Sequence, residues 1–450
     1  MGSVENFEEV ESRLGLGSSI ILGVRWWELV RYNFALSHTN SNRKTVLNLS
    51  KTWRLSASIM RIPAILRRVD VVILRHPRFK LEEGKFSDIY TFDLQKDIKS
   101  RDLEILIIEN PTPQKRALEN GVYPLDGIKV ISSFMSGFLS KALVNYITLF
   151  DVGEAIKSYG ERNLTPSMIL KEVLRFKIEV FFYQIIFKIT NPKLVFVVVN
   201  QGNEALIYAG KKTGIKIAEL QHGSPARGKM NYDYSNLDSR SYGPDFFLSF
   251  GRFFTKHAPL ASSTKIVDFG FPYLEKRKSK RCYSEKGKIK FDFLILSQPE
   301  VDYRLIEFTK ELLSSCGNEI KILVQEHPQY YSKASPYFVF SDDTRVVIKP
   351  SIESSLYDAL ETCRTAVTVY STSIFEAYYF GLKCIVLDDH RHFLREFCLE
   401  FNVPVVSDSL GISDVLLALN RQQGDRTYLF SRYDEKVLLE VLNSVGLAPS

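Results

Sequence analysis

Residues 366–388 read AVTVYSTSIFEAYYFGLKCIVLD and decide the predicted fold. The short β-branched run from Ala366 to Val369 is typical of a buried parallel strand. The residues after it predict a helix that ends at Gly381, because glycine readily adopts the left-handed conformation that follows many helices. A second apolar strand begins at Lys383. The stretch therefore predicts the strand–helix–strand unit of an α/β protein.

Three small hydroxyl residues, Ser371, Thr372 and Ser373, lie where the first strand ends and the helix begins. The unpaired N–H groups and partial positive charge of a helix N-terminus attract anions, phosphate above all. This corner is a candidate site for the phosphates of a nucleotide. A purely structural role is the alternative, because Ser373 and Glu376 form the S-x-x-E pattern of a capping box.

The same alternation of short apolar runs and helical patterns recurs along the chain and predicts two parallel sheets. The predicted strands cover residues 69–74, 103–108, 194–199, 215–220, 246–249, 291–296, 320–325, 345–348 and 366–369. The basic, polar segment 275–290 predicts a linker, since it is nearly free of core residues. We therefore expect an N-terminal Rossmann-like domain with helical insertions over 1–274, and a C-terminal one over 291–450.

Composition narrows the class of protein. The chain of 450 residues is 45% hydrophobic and 25% charged, which is typical of a globular protein with more than one domain. A net charge of +7 without a recognisable nucleic-acid motif predicts no nucleic-acid partner. Five cysteines without a C-x-x-C pair argue against a disulfide framework or a zinc site. This cysteine usage fits a reduced compartment, so we expect a cytoplasmic protein. Lys188 and Pro192 interrupt the most apolar stretch, so we expect no membrane span.

An aromatic helix near the N-terminus is a candidate for peripheral contact with the inner face of the cell membrane. Trp26, Trp27, Val30 and Phe34 lie at spacings that make one apolar helix face. Such a face on a basic protein can rest on anionic lipid. Tryptophans at these spacings are also typical of a buried core, and this alternative stays open.

Polar residues follow many of the predicted strands, where ligands of open α/β sheets bind. They are His76, Arg78, Asp88, Gln201 and His222 in the first half, and Ser297, Gln298 and His327 in the second. Histidine suits general acid–base chemistry because its pKa is near neutral. One histidine could take a proton from an acceptor hydroxyl, while a histidine of the other domain donates a hydrogen bond or a proton to phosphate. Asp88 and Glu219 are alternative bases, although Asp88 also fits a turn residue.

These motifs together carry a resemblance to a known family. Strand-His-Pro and strand-S-T-S-x-x-E-A, after strand-Q-H-G, resemble bacterial glycosyltransferases of the GT-B fold that build capsules and other surface polysaccharides. Gln221 to Pro225, QHGSP, is similar to the H-G-T-P stretch of the CDP-glycerol glycerophosphotransferases. His327-Pro328 and the hydroxyl cluster resemble motifs of bacterial sialyltransferases and capsule polymerases. Gln221 replaces the tryptophan of the glycerophosphotransferases, and the acidic motif of many sialyltransferases is not evident.

The resemblance implies a GT-B fold, with two Rossmann-like domains facing across a cleft. His222 would be the general base, and His327 would contact the donor phosphate or act as an acid. Ser371 and Ser373 would bind phosphate and Glu376 the ribose. The other candidates for contact with the nucleotide are Thr372, Ser297 and Gln298. The candidates for contact with the acceptor are His76, Arg78, Asp88 and Gln201.

We therefore expect a metal-independent glycosyltransferase without a cofactor, since no D-x-D motif occurs in a predicted loop. It would move a sugar from a nucleotide-sugar donor to a hydroxyl of a glycan or lipid-linked glycan. One alternative is a non-hydrolysing nucleotide-sugar epimerase, which has a similar S-x-x-E-A helix and needs no acceptor. Another is a non-catalytic GT-B-like scaffold in polysaccharide assembly.

Overall fold

The computed structural model describes residues 11–13, 15–37, 52–77, 79–82, 85–110, 119, 121–145, 165–225, 232–234, 237–238, 240–256, 258–283, 289–327, 330, 334–350, 355–388, 394–406 and 412–447. Arg78 and Pro328 lie outside these ranges, so their predicted positions are not addressed. The chain divides into two compact units. Unit 1 comprises Met1–Gly270 and Tyr433–Ser450, and unit 2 comprises Phe271–Arg432.

Unit 1 is built on a parallel sheet. Its strands are β1 (Val71–Arg75), β2 (Phe79–Glu82), β3 (Lys85–Asp88), β4 (Ile105–Glu109), β5 (Val122–Pro124), β6 (Leu194–Val198), β7 (Lys216–Leu220), β8 (Phe246–Ser249) and β9 (Lys265–Asp268). Over the described residues, seven of them form one parallel sheet in the order β5-β4-β1-β6-β7-β8-β9, whereas β2 and β3 form an antiparallel hairpin. Strands β1, β4 and β6 are buried along their whole length, as expected for apolar strands covered on both faces.

Helices surround this sheet. They are α1 (Trp26–Ser37), α2 (Thr52–Met60), α3 (Phe92–Lys99), α4 (Asp126–Leu143), α5 (Pro166–Thr190), α6 (Glu204–Lys212) and α7 (Arg252–Lys256). The ends of α5 follow from the sequence. The hydroxyl of Thr165 accepts a hydrogen bond from the N–H of Met168, Pro166 occupies the first turn, and Asn191 adopts the left-handed conformation after the helix.

The two tryptophans of α1 belong to the core of unit 1. The Nε1 atom of Trp26 donates to Ser19 Oγ, and that of Trp27 donates to Glu11 Oε1, each at 2.8 Å. Both rings are fully buried. The prediction that they rest on a membrane is therefore wrong, because their faces pack in the core and their N–H groups have internal partners. Within the described ranges, no helix is both long and apolar enough to cross a membrane.

Unit 2 carries the second sheet. Its strands are β10 (Phe291–Leu296), β11 (Ile322–Gln325), β12 (Val346–Lys349), β13 (Cys363–Thr368), β14 (Lys383–Leu387) and β15 (Val405–Val406). In the described part of the unit they form a six-stranded parallel sheet in the order β12-β11-β10-β13-β14-β15. The helices are α8 (Pro272–Tyr283), α9 (Asp302–Ser315), α10 (Leu356–Thr362), α11 (Ser373–Phe380), α12 (Arg395–Glu400), α13 (Ile412–Ala418) and α14 (Arg426–Leu429). The two parallel sheets with their helices confirm the predicted α/β fold class.

The division into units differs from the expected domain boundaries at two points. Helix α8 covers the first part of the segment expected to be a linker, and its buried start at Tyr273 and Leu274 anchors it. The chain after Arg432 belongs to unit 1, where Tyr433 donates a hydrogen bond to Asp97. The sequence gives no local signal for either difference. Helix α8 is mostly basic and polar, and the chain after Arg432 joins unit 1 through partners distant in the sequence.

Candidate functional site

The carboxyl edge of the unit 2 sheet gathers most of the second-half candidates. From β10 the chain builds β11 and β12 on one side, and it later places β13 on the other side. The point between β10 and β13 is therefore a topological switch point, where ligands of open α/β sheets bind. Ser297 and Gln298 follow β10, His327 follows β11 closely, and the 371–373 hydroxyl cluster follows β13. The structure thus places these residues at neighbouring strand ends, although their roles stay predictions.

The side chain of Gln298 links two of these strand ends. Its buried Oε1 atom accepts hydrogen bonds from Thr368 Oγ1 at 3.0 Å and from the N–H of Tyr370 at 2.9 Å. The same threonine oxygen accepts from the N–H of Ser371 at 3.0 Å. Gln298 therefore positions the turn that carries the hydroxyl cluster, and its amide oxygen is already engaged within the protein.

The start of α11 differs from the predicted capping box. The helix begins at Ser373, and Thr372 occupies the N-cap position without a side-chain cap bond. The hydroxyl of Ser371 instead accepts a hydrogen bond from the N–H of Ser373 at 3.3 Å. The predicted capping role of Ser373 is therefore wrong, since it lies one position inside the helix. Glu376 lies half-buried in the first turn.

Asp302, which was not predicted from the sequence, holds the turn after β10 through hydrogen bonds to its carboxylate. Its carboxylate accepts from Ser297 Oγ at 3.1 Å and from the N–H of Gln298 at 2.7 Å. The hydroxyls of Tyr330 and Tyr337 donate to it at 2.5 and 2.8 Å. Four donors on one buried carboxylate fix the turn after β10. An acidic residue at the first position of a helix was the available signal, but two of its partners lie far along the chain.

His327 is half-buried beside this network. Burial lowers its pKa below the usual value, and the nearby charges of Asp302 and Glu300 partly offset the effect. The imidazole is therefore mainly neutral at pH 7. A bound phosphate would favour the protonated form, because an opposite charge nearby stabilises it.

In unit 1 the structure brings two predicted histidines together. His76 follows β1 and His222 follows β7, the two strands that flank β6. Their ring centroids are 4.6 Å apart, and the ring of Tyr90 lies 5.2 Å from His76 and 5.4 Å from His222. Gln201 follows β6 at the same carboxyl edge, next to the switch point between β1 and β6. This histidine–tyrosine cluster is the counterpart in unit 1 of the hydroxyl corner in unit 2.

Asp88 supports the cluster from a buried position. Its carboxylate accepts from the backbone N–H groups of His76 at 3.1 Å and Tyr90 at 3.0 Å, and from Thr91 Oγ1 at 2.6 Å. Burial raises its pKa to about 6, against these hydrogen bonds, which act in the opposite direction. The arrangement assigns Asp88 a turn-forming part that holds His76 and Tyr90 in place.

Glu219, the other alternative base, is fully buried beneath the cluster. Its carboxylate accepts from Asn200 Nδ2 at 2.9 Å and from the hydroxyl of Tyr232 at 2.8 Å. The amide oxygen of Asn200 accepts in turn from Arg240 Nη2 at 2.9 Å. Burial raises the pKa of Glu219. The network ties the end of β6 to the end of β7.

Gln221 fixes the turn that presents His222. Its Oε1 atom accepts from Ser249 Oγ at 3.1 Å and from the N–H of Phe250 at 2.7 Å. Its Nε2 atom donates to the carbonyl of Gly223 at 2.6 Å. Gly223 has a φ of 81°, which a residue with a side chain rarely adopts. In the Q-H-G motif, Gln221 and Gly223 therefore shape the turn that holds the imidazole of His222.

Candidate metal ligands are not clustered in the described ranges, where no group of three or more His, Cys, Asp or Glu side chains could hold a metal ion. Cys316, Cys363, Cys384 and Cys398 are free thiols.

Comparison with known proteins gives the fold. No protein-family model matches the chain, and no curated protein matches its sequence. The solved structure of UDP-GlcNAc 2-epimerase from Methanocaldococcus jannaschii matches 84% of this chain and 99% of its own, with a TM-score of 0.52 and 10% identity. The wall teichoic acid polymerase TagF matches 99% of this chain and 98% of its own, with a TM-score of 0.45 and 10% identity. The spinosyn rhamnosyltransferase SpnG matches 84% and 97%, with a TM-score of 0.39 and 11% identity. At these identities the likeness concerns the fold alone, and the chain has a two-domain α/β fold.

Proposed function

We propose that the protein is a metal-independent glycosyltransferase. It moves a sugar from a nucleotide-activated donor to a hydroxyl of a surface-polysaccharide acceptor, such as a capsule or O-antigen glycan, at the inner face of the cell membrane. One observation carries the proposal. A hydroxyl-rich helix N-terminus and a neutral histidine follow β13 and β11, the two strands that flank β10 beside the switch point of the unit 2 sheet.

The donor binds to unit 2 in this proposal. The N–H groups at the start of α11 and the hydroxyl of Ser373 contact the donor phosphates, and the N–H of the His327 imidazole contacts the same group. Negative charge develops on the phosphate as the sugar leaves, and fixed donors of this kind stabilise such charge without a metal. The carboxylate of Glu376 accepts hydrogen bonds from the ribose hydroxyls.

The acceptor is activated by unit 1. The imidazole of His222 takes the proton of the acceptor hydroxyl. The hydroxyl oxygen forms a bond to the sugar as the bond between the sugar and the donor phosphate breaks. The products are the extended glycan and the free nucleotide. His76 and Tyr90 orient the imidazole of His222, and Asp88 supports them both through the turn. Gln201, and Arg78 outside the described residues, contact the acceptor.

The test is thermal unfolding of the full chain with CMP, CDP, UDP, GDP or ADP. A nucleotide at a hundred times its dissociation constant should raise the free energy of unfolding by about 2.7 kcal/mol, which is a shift of a few degrees. Ser373→Ala should weaken binding about tenfold, because it removes one hydrogen bond to a charged group. The matched control is Ser314→Ala in α9, whose hydroxyl bonds only to a helix carbonyl.

Turnover separates catalysis from binding. His222→Ala and His327→Ala should abolish sugar transfer while the thermal unfolding midpoint without nucleotide stays within a few degrees of wild type. No stabilisation by any nucleotide would overturn the donor site. Nucleotide binding together with a fully active His222→Ala variant would overturn the assignment of the base.

A nucleotide-sugar epimerase is the second candidate, and the likeness to a UDP-GlcNAc 2-epimerase fold favours it. An epimerase inverts a carbon of the donor sugar and needs no acceptor. Proton NMR of UDP-GlcNAc with the protein alone distinguishes the two. A second nucleotide sugar, formed without an acceptor, would replace the transferase proposal. A scaffold would give neither product, and its binding of nucleotide would survive His222→Ala.

A further inference from the structure

Helix α4 presents an apolar face to solvent. The side chains of Phe134 and Phe138 are 78% and 71% exposed, and Val130, Ile131 and Met135 are exposed beside them. At 100° per residue these five positions fall within one arc of about 140° on the helix. Buried residues such as Ser132, Ser136 and Ser140 lie on the opposite side. Contiguous exposed apolar surface of this kind marks an interaction site.

Helix α2 extends this surface. The end of α2 is fastened to the start of α4, because Ser58 Oγ donates to the carbonyl of Pro124 and accepts from the N–H of Gly127. This contact places the exposed Ile59 and Met60 next to the first turn of α4. Helix α5 packs against the opposite side of α4, where Glu179 accepts a hydrogen bond from Ser132 Oγ at 3.1 Å. We call the exposed apolar residues of α2 and α4 the apolar surface.

The charges around the apolar surface are basic. Helix α4 has no acidic residue after Asp126, which is buried, and Lys141 lies in the same arc as its exposed phenylalanines. Arg68 is exposed beyond α2.

The two glutamates of α5 are paired within unit 1. Glu179 binds Lys129 at 2.6 Å, and Glu172 binds Arg175 at 2.5 Å. Because these glutamates are paired, the exposed Lys141 and Arg68 leave the charge around the apolar surface positive. A second copy of the same surface would bring like charges together, which disfavours a dimer. An anionic lipid surface complements both the apolar residues and the positive charge around them.

We propose that the apolar surface docks unit 1 onto an anionic lipid bilayer. Helix α4 lies in the plane of the interface, with Phe134 and Phe138 at the boundary of the acyl chains and Lys141 at the level of the headgroups. The bilayer is contacted and not crossed. This inference goes beyond the proposed transfer reaction and does not depend on it, because docking needs neither nucleotide nor glycan.

The test is co-sedimentation of the full chain with vesicles of phosphatidylcholine, with or without one third phosphatidylglycerol. Wild type should bind the anionic vesicles at least tenfold more tightly than the neutral ones. The double variant Phe134→Ser/Phe138→Ser should lose on the order of a hundredfold in partitioning, about tenfold per phenylalanine removed. Lys141→Glu should weaken binding severalfold, and added salt should weaken it further.

Matched controls come from unit 2, where Phe338 and Leu417 are comparably exposed. Phe338→Ser/Leu417→Ser should bind vesicles as wild type does, and Lys321→Glu should have a smaller effect than Lys141→Glu. Sedimentation equilibrium without lipid reports self-association. Absence of vesicle binding, equal loss in the control variants, or a dimer that dissociates in Phe134→Ser/Phe138→Ser would each overturn the proposal.

Discussion

Buried carboxylates do the positioning at both candidate sites. Asp302 gathers four donors beneath the unit 2 edge, and Asp88 gathers three beneath the histidine–tyrosine cluster. A carboxylate is acceptor-only when ionised, so it can satisfy several N–H and O–H donors that would otherwise be buried without partners. The side chains that face the proposed substrates, His222, His327 and Ser373, depend on these residues for their placement.

The raised pKa of Asp88 predicts a pH dependence of stability. Its pKa is about 6 in the folded protein against 3.8 ordinarily, so the folded state binds the proton more tightly. The resulting stabilisation is fully present below pH 3.8 and is lost as the pH rises through 6, by about 3 kcal/mol in total. We expect the difference in unfolding free energy between wild type and Asp88→Asn to fall accordingly between pH 4.5 and 7.

Urea unfolding of both proteins at a series of pH values measures this difference. The control is Asp414→Asn, because Asp414 is exposed in the first turn of α13. Asp97 is unsuitable because it accepts a hydrogen bond from Tyr433. A constant difference for Asp88→Asn would contradict the raised pKa.

At the scale of elements, α11 joins the two strands that decide the fold. It begins at the hydroxyl corner and ends at Gly381, where φ is 94° and the chain turns into β14. Its apolar residues, including Ile374, Ala377 and Phe380, are buried between these ends. The helix direction, and hence the partial positive charge offered to phosphate, follows from the parallel order of β13 and β14.

A glycine at a helix end and a glycine inside a helix should respond oppositely to alanine. Gly381→Ala should lower the free energy of unfolding by about 1–2 kcal/mol, since the left-handed conformation strains a residue with a Cβ. Gly137→Ala in α4 should raise it by up to about 1 kcal/mol, because a Cβ there meets only Lys171 Cε at 3.9 Å. Chemical unfolding of the two variants measures both, and equal signs would contradict the explanation.

At the scale of the whole molecule, the chain returns to unit 1 after unit 2 is complete. The final helix, α15 (Glu435–Ser444), buries Leu438, Val441 and Leu442. Arg101 bonds to Glu435 at 3.1 Å, and Lys193 bonds to the carbonyl of Gly446 at 2.5 Å. Unit 1 is therefore discontinuous in sequence, and its stability depends on residues that follow those of unit 2.

Truncation after Arg432 should consequently destabilise unit 1. Three buried aliphatic side chains contribute about 1.5–3 kcal/mol each, so the loss should be several kcal/mol. Hydrogen exchange should accelerate in β1 and β6 more than in β10 and β13. Equal acceleration in the two sheets would contradict the placement of α15 in unit 1.

The sequence by itself determined ten of the fifteen described strands and the polar residues that follow several of them, whereas β2, β3, β5, β9 and β15 were not predicted. Apolar runs such as 291–296 and 383–387 became β10 and β14 at the expected bounds, because a strand buried on both faces has a local signature. The hydroxyl cluster, His222 and His327 were found the same way, since parallel strands bring their carboxyl ends to one edge.

Only the tertiary structure decided what depends on partners distant in the chain. Asp302 needs Tyr330 and Tyr337, the start of α11 is set by Gln298 and Thr368, and α15 packs beside residues more than 300 positions earlier. The spacing of Trp26 and Trp27 is compatible with a buried core or with a membrane contact. Their hydrogen bonds to Ser19 and Glu11 decide for the core. The outward face of α4 was missed for the same reason, because periodicity locates an apolar stripe but not what covers it.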